Sequence, residues 1–153
     1  AITLLVALMI GAMWFAGRPD TSQSVVRTRH ILIAYDRSDM ADRQRALDRV
    51  AGLRERIVNG ENFAAIAKAE SDDPTSSARG GDLGYNPRGV FEAKFEEYAW
   101  NGEISAVSEI IETNYGFHLV EVLDRQLSQQ DQYEAELERK ALDADKAPAE
   151  SGE

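Results

Sequence analysis

Residues 71–89 read SDDPTSSARGGDLGYNPRG, with glycines at 80, 81, 84 and 89 and prolines at 74 and 87. Nothing here has the period of a helix or the alternation of a strand, and the glycines and prolines punctuate it every few residues. It reads as one long ordered loop, the kind of segment that carries function when a rigid scaffold holds its ends. The chain on either side supplies that scaffold.

Upstream, residues 26–35 (VRTRHILIAY) are rich in β-branched residues and alternate in character, which predicts a strand. Ser38 or Asp39 caps a helix running to about Val58, with Ala46, Leu47, Val50, Leu53 and Ile57 recurring at three- and four-residue steps. Asn59-Gly60 supplies its left-handed stop, and Asn62 caps a second, short helix carrying Phe63, Ile66 and Ala67. Downstream, a third helix is expected around residues 92–100. Strands are expected at 109–113 and 117–123, joined by a turn at Asn114-Tyr115-Gly116. The order β-α-α-loop-α-β-β predicts an α+β domain, one antiparallel or mixed sheet packed by helices.

The ends differ from this middle. Residues 1–17 (AITLLVALMIGAMWFAG) contain no charged side chain. As a helix they reach roughly 25 Å against a hydrocarbon core of ~30 Å, with Trp14 and Phe15 placed for an interfacial belt. A cleaved signal would need small residues at both positions flanking its cut, and Ala16 with Trp14 or Gly17 with Phe15 fails that pattern. We therefore expect a single-pass transmembrane anchor over 1–17 and a polar linker over 18–25. Residues 126–153 carry eight acidic and three basic side chains; Tyr133, Leu137 and Ala141 at four-residue spacing predict some helix, and the last ten residues read as disordered.

Composition narrows the function. The 153 residues have room for one compact domain with appendages, and 43% hydrophobic content supports a core. A net charge of -10, from 27 acidic and 17 basic residues, argues against a nucleic-acid partner and favours solubility as the reason for the acidity. With no cysteine, disulfides, thiolate metal sites and cysteine nucleophiles are all excluded.

The two histidines, His30 and His118, both sit in apolar strand settings, where a histidine is ordinarily a satisfied structural residue. A zinc site using them with Asp72, Asp73 or Asp82 lacks metal-ligand spacing. Ser71, Ser76 and Ser77 are available for Ser-His-Asp chemistry, but none lies in a nucleophile elbow. The run Gly80-Gly81-Asp82-Leu83-Gly84 lacks the lysine of a phosphate-binding loop and reads as a tight turn.

Taken in order, four blocks resemble the parvulin family of peptidyl-prolyl cis/trans isomerases: RTRHILI, ENFAAIAKAESDDPTSSARGGDLGY, PRGVFEAKFEEYAW and IIETNYGFHLVEVLDR. The resemblance covers residues 26–125 and runs without a gap from Ser71 onward. It implies a four-stranded sheet with about four helices. His30 and His118 become the paired histidines at the floor of a site, Thr113 the threonine beside the second, and Asp73 an acidic substrate contact. Leu83, Phe91 and Phe95, otherwise read as core, become the apolar pocket for a proline ring, with Asn86 on its wall. The substrate implied is an X-Pro bond in a proline-containing polypeptide of extracytoplasmic or membrane proteins, and no metal or cofactor is implied. The anchor points to the bacterial cell envelope, with a larger membrane assembly as a further partner. The alternative is a parvulin-fold binding module, a chaperone or accessory subunit with little turnover.

Three positions depart from the family pattern. Asn86 stands where many members have an aromatic, Val90 replaces a common glutamine, and Gly-Glu-Ile-Ser at 102–105 lies three residues early, so that Ser108 takes the serine position. Members that prefer a phosphorylated residue before proline use a basic cluster after the first strand. Here that connection reads Asp36-Arg37-Ser38-Asp39, which does not favour phosphate.

Overall fold

The computed structural model describes residues 22–146, which fall into two units. One is the domain from Ser24 to Gln126; the other contains the C-terminal segment from Leu127.

The domain is built on β1 (Val25–Ile33), α1 (Met40–Val58), α2 (Phe63–Glu70), β2 (Asp82–Pro87), α3 (Ala93–Asn101), β3 (Ile111–Glu112) and β4 (Phe117–Gln126). The four strands form one sheet in the order β2-β1-β4-β3, and each neighbouring pair is antiparallel. This is the expected α+β architecture, resolved in favour of an antiparallel sheet.

The helices start where short polar side chains can take up free backbone N–H groups. Asp39, not Ser38, is the α1 cap, accepting from the N–H of Ala41 at 2.8 Å and Asp42 at 3.2 Å. Asn62 caps α2 by accepting from Ala65 N–H at 2.9 Å. Helix α1 stops at Asn59, with Gly60 at φ 97°. The helical apolar spacing has a packing reason. Ala46, Val50 and Leu53 of α1 and Phe63, Ile66 and Ala67 of α2 bury against Ile31, Ile33, Phe117 and Leu119, which project from one face of β1 and β4. The other face of those strands carries Val26, Thr28, His30, His118, Val120 and Val122, all buried, and α3 brings Phe95, Ala99 and Trp100, also buried, to the domain. A β-strand sends alternate side chains to opposite faces. One face is thus mainly hydrocarbon, with the Arg29–Glu121 ion pair beyond Ile31 and Leu119, and the other mixes hydrocarbon with imidazole.

Strand β2 overturns the reading of residues 71–89 as loop throughout. The segment Asp82–Pro87 pairs with the free edge of β1 from Val25↔Pro87 to Arg29↔Asp82, with a register shift at Thr28/Arg29. Its sequence, DLGYNP, looks like a turn because an edge strand tolerates glycine and proline. What makes it a strand is its neighbour, held by backbone pairing and by the Arg27–Asp82 ion pair. The glycines before it also have a packing role. Gly81 lies at φ 82° with its carbonyl accepting from His30 N–H at 2.9 Å, and a Cβ there would stand 2.1 Å from the His30 carbonyl oxygen. Strand β3 is shorter than the expected 109–113, and β4 runs three residues beyond the expected 117–123.

The C-terminal unit contains α4 (Gln129–Lys146). Its start is closed by Ser128, whose hydroxyl accepts from Asp131 N–H at 3.1 Å, and a Glu136–Lys140 ion pair one turn apart spans its exposed surface. The helix extends three residues into the stretch expected to be disordered, whose remainder lies outside the described residues. The expected membrane anchor over 1–17 and the first half of the linker, 18–21, also lie outside them. Among the described residues no helix is long and apolar enough to cross a membrane.

Candidate functional site

The register of β1 against β4 sets His30 opposite Val120 and Leu32 opposite His118. The two histidines are therefore diagonal neighbours on one face of the sheet, within reach of each other across the strand pair. Their Nδ1 atoms are 3.1 Å apart and the rings lie nearly parallel, with centroids 5.3 Å apart at 22°. His30 Nε2 meets Asp73 Oδ2 at 2.8 Å, and His118 Nε2 meets Thr113 Oγ1 at 2.7 Å. All four residues are buried.

One arrangement of protons satisfies this row. Asp73 is held ionised: burial pushes its carboxyl up, but hydrogen bonds from Ser76, His30 and Thr75 outweigh that and pull it well below the usual range. A carboxylate only accepts, so His30 Nε2 carries the proton and donates to it. Burial lowers the pKa of His30 despite Asp73, so the ring is neutral and its Nδ1 accepts. His118 Nδ1–H must then be the donor, and its Nε2 accepts from the Thr113 hydroxyl. Burial, with His30 beside it, lowers the pKa of His118 to about 4, so this ring too is neutral near pH 7. Thr113 Oγ1 in turn accepts from Tyr115 N–H at 3.1 Å. The result is a directional relay, Thr113 to His118 to His30 to Asp73, with all four ring nitrogens engaged.

Asp73 is itself fixed from its own loop. Its Oδ1 accepts from the N–H of Thr75 at 2.9 Å and the Thr75 hydroxyl at 2.7 Å, and its Oδ2 from the Ser76 hydroxyl. Ser76 is fully buried, with its Oγ 3.2 Å from His30 Nε2. Ser76 was weighed as a nucleophile from the sequence; it serves as a donor to Asp73. Thr75 was not singled out at all, and the one signal for it was its position two residues after an aspartate, the spacing of a local side-chain turn.

Over this row lies a cavity of about 450 Å³. His30, His118, Asp73 and Thr113 border it together with the apolar side chains of Leu83, Phe91 and Phe95. Phe95 makes edge contacts with both imidazoles, at 67° and a centroid distance of 5.9 Å to His30 and at 85° and 5.7 Å to His118, and stacks on Phe91 at 4.5 Å. Leu32, Val90 and Tyr115 also line the cavity, and sequence reasoning gave none of them a site role. Leu32 was accessible from alternation, since it lies two residues from His30 on the same strand face. Asn86 is not on the wall. Its amide is turned onto the carbonyls of Leu83 at 3.0 Å and Gly84 at 3.2 Å, so it shapes β2 instead. Among the described residues no set of three His, Cys, Asp or Glu side chains is placed to hold a metal ion. A larger groove of about 750 Å³ borders α1, α3 and β3, but no histidine lines it.

A hydrogen-bonded histidine pair on the central strands of a four-stranded antiparallel sheet, beneath an aromatic-walled cavity, is the arrangement the parvulin resemblance implied. The sequence profile of the PPIC-type PPIase domain matches residues 16–126, and the chain belongs to that family. It is a peptidyl-prolyl cis/trans isomerase domain of the parvulin type. Among curated proteins it is 39% identical over 99 residues to chaperone SurA of Nitrosococcus oceani, covering 65% of this chain and 23% of that protein. It is 39% identical over 118 residues to foldase protein PrsA of Halalkalibacterium halodurans, covering 77% of this chain and 31% of that one. The chain thus spans under a third of the length of these two relatives. Among solved structures, the peptidyl-prolyl isomerase ESS1 from Candida albicans superposes with a TM-score of 0.59 at 34% identity, over 65% of this chain and 63% of that one.

Proposed function

We propose that the domain catalyses rotation about X-Pro bonds in other polypeptides, as a folding helper. The observation that carries this is the cavity of about 450 Å³ with largely apolar walls over a fully hydrogen-bonded floor of two neutral imidazoles ending on an ionised carboxylate.

Rotation about a prolyl bond faces a barrier of about 20 kcal/mol that arises from amide resonance, and no covalent bond has to break. A catalyst therefore needs to bind the twisted amide better than either planar form. Leu83, Phe91 and Phe95 would hold the proline ring and strip water from the amide. Resonance places partial negative charge on the carbonyl oxygen, so the fixed charge of Asp73, facing that side, disfavours the conjugated form. The relay has no ring nitrogen left to act as base or nucleophile; its part is to hold Asp73 ionised and the floor rigid. The residue before proline is non-phosphorylated in this reading, since Arg37 stands between Asp36 and Asp39 and donates to Asn114 Oδ1 at 2.7 Å.

The test is a protease-coupled peptide assay. Wild type is expected to accelerate the slow phase and a His30→Ala/Asp73→Ala variant to lose that acceleration. Equal behaviour of the two would instead favour a chain-holding module, a reading supported by the exposed apolar rim residues Val90 and Tyr115 (54% and 70% exposed) and the chaperone name of a relative. The charge-free residues 1–17 support a further part of the proposal: the domain is tethered to a bacterial membrane and works outside the cytoplasm. Protease access to the domain in intact cells checks that part.

A further inference from the structure

The cavity has one wall that no regular element supplies. Residues 88–92 link β2 to α3 and carry Val90 and Phe91 to the cavity. A five-residue link has no ladder of its own, so something must hold its main chain in place. Among the described residues, the side-chain hydrogen bonds to the main chain of residues 88–91 are made by one carboxylate, Glu96, in the first turn of α3. Glu96 Oε1 accepts from Gly89 N–H at 2.7 Å, and Oε2 accepts from Phe91 N–H at 3.3 Å. Oε1 also accepts from the indole Nε1–H of buried Trp100 at 3.1 Å. The Arg88 guanidinium lies over that same indole, 4.1 Å from the ring centroid. Gly89 sits at φ 86°, in the left-handed region that glycine enters without steric cost, so its backbone torsions alone do not hold the link in place.

We infer that Glu96 is the positioning residue of the site: it fixes the link that carries Phe91, and so sets how tightly the proline ring is held. The chain of contact runs from the Glu96 carboxylate to the Phe91 main chain, from the Phe91 ring to Phe95, and from Phe95 to both imidazoles. Two oxygens serve three N–H donors, so the carboxylate cannot be replaced by its amide. A glutamine offers one oxygen and turns an NH₂ toward a donor, leaving at least one N–H without an acceptor. Trp100 acts through Glu96 by holding its rotamer.

This inference rests on the isomerase reading for its kinetic arm and stands alone in its structural arm. The experiment compares wild type, Glu96→Gln and Glu97→Gln, the last removing the neighbouring exposed charge on the same helix. Steady-state isomerase kinetics are run beside amide hydrogen exchange by NMR. In E96Q, KM is expected to rise about tenfold while kcat stays within about twofold, because a loosened wall weakens ring binding in ground and transition states alike. The Gly89 and Phe91 amides and the Trp100 indole N–H should exchange faster in E96Q, with amides in β1 and β4 unchanged. E97Q should match wild type in both arms. Unchanged exchange at Gly89 and Phe91 in E96Q overturns the tether, as does an unchanged KM with an active enzyme. A kcat loss with KM kept also overturns it and reassigns Glu96 to the chemical step. Wild type without turnover overturns the isomerase reading, and the exchange arm then decides the tether alone.

Discussion

At the scale of single residues, the relay makes the fold sensitive to acid. His118 has a folded-state pKa of about 4, against ~6.5 for an unfolded histidine, and that of His30 is also lowered by burial. Between those values the unfolded chain binds protons that the folded chain refuses, so stability falls as pH drops from about 6.5 toward 4. Asp73 adds to this once pH falls into the normal carboxylate range, where the unfolded carboxyl takes up a proton that the folded one refuses. Urea titrations across pH 7 to 4.5 should show the midpoint falling, and a His30→Phe/His118→Phe variant should flatten that slope. The far end of the relay gives a second test. Thr113→Val keeps the shape but leaves His118 Nε2 without its donor and Tyr115 N–H without its acceptor. It should cost about 1–3 kcal/mol in the same titration. Imidazole ¹⁵N shifts should show the His118 tautomer no longer fixed.

The elements show where sequence is a sufficient guide. The helix starts at Asp39 and Asn62 were legible because a cap is a local bargain between one side chain and the next three N–H groups. The apolar spacing through Val50 and Leu53 was legible because a single face of α1 meets the sheet. Strand β2 was not, since its state is decided by the vacant edge of β1 and not by DLGYNP. The site divides the same way. The two histidines were visible as strand residues, but only the resemblance placed them together, because a sequence separation of 88 leaves no local signal of contact. Thr75 and Ser76 went unassigned in the relay because hydroxyls are common in loops and only the folded loop shows which ones bind Asp73. The prediction at this scale concerns Gly81. Gly81→Ala drives a Cβ into the His30 backbone at a positive φ, so it should displace β2 and destabilise by several kcal/mol, roughly the cost of combined clash and strain. A nearby Gly84→Ala, with open space around its Cβ, should lose only what its φ of 71° imposes. Thermal melts of the two variants check the contrast.

For the molecule as a whole, the charge of -10 sets how it meets other chains. Cationic polypeptides should be drawn in by long-range attraction. KM for lysine-flanked proline peptides should be lower than for glutamate-flanked ones in dilute buffer. The gap should close as the screening length shrinks from about 10 Å at 0.1 M salt to about 3 Å at 1 M. A ratio independent of salt would assign any preference to the pocket rim instead. The pairing of β1 with β4 has a consequence in time as well as in space. The site is assembled from the first and last strands of its domain, so a growing chain has no competent site until residue 118 has cleared the ribosome and found its mate. Closing so long a loop is slow beside the formation of α1 or α2. Newly made copies must therefore complete their own maturation before they can assist any other protein.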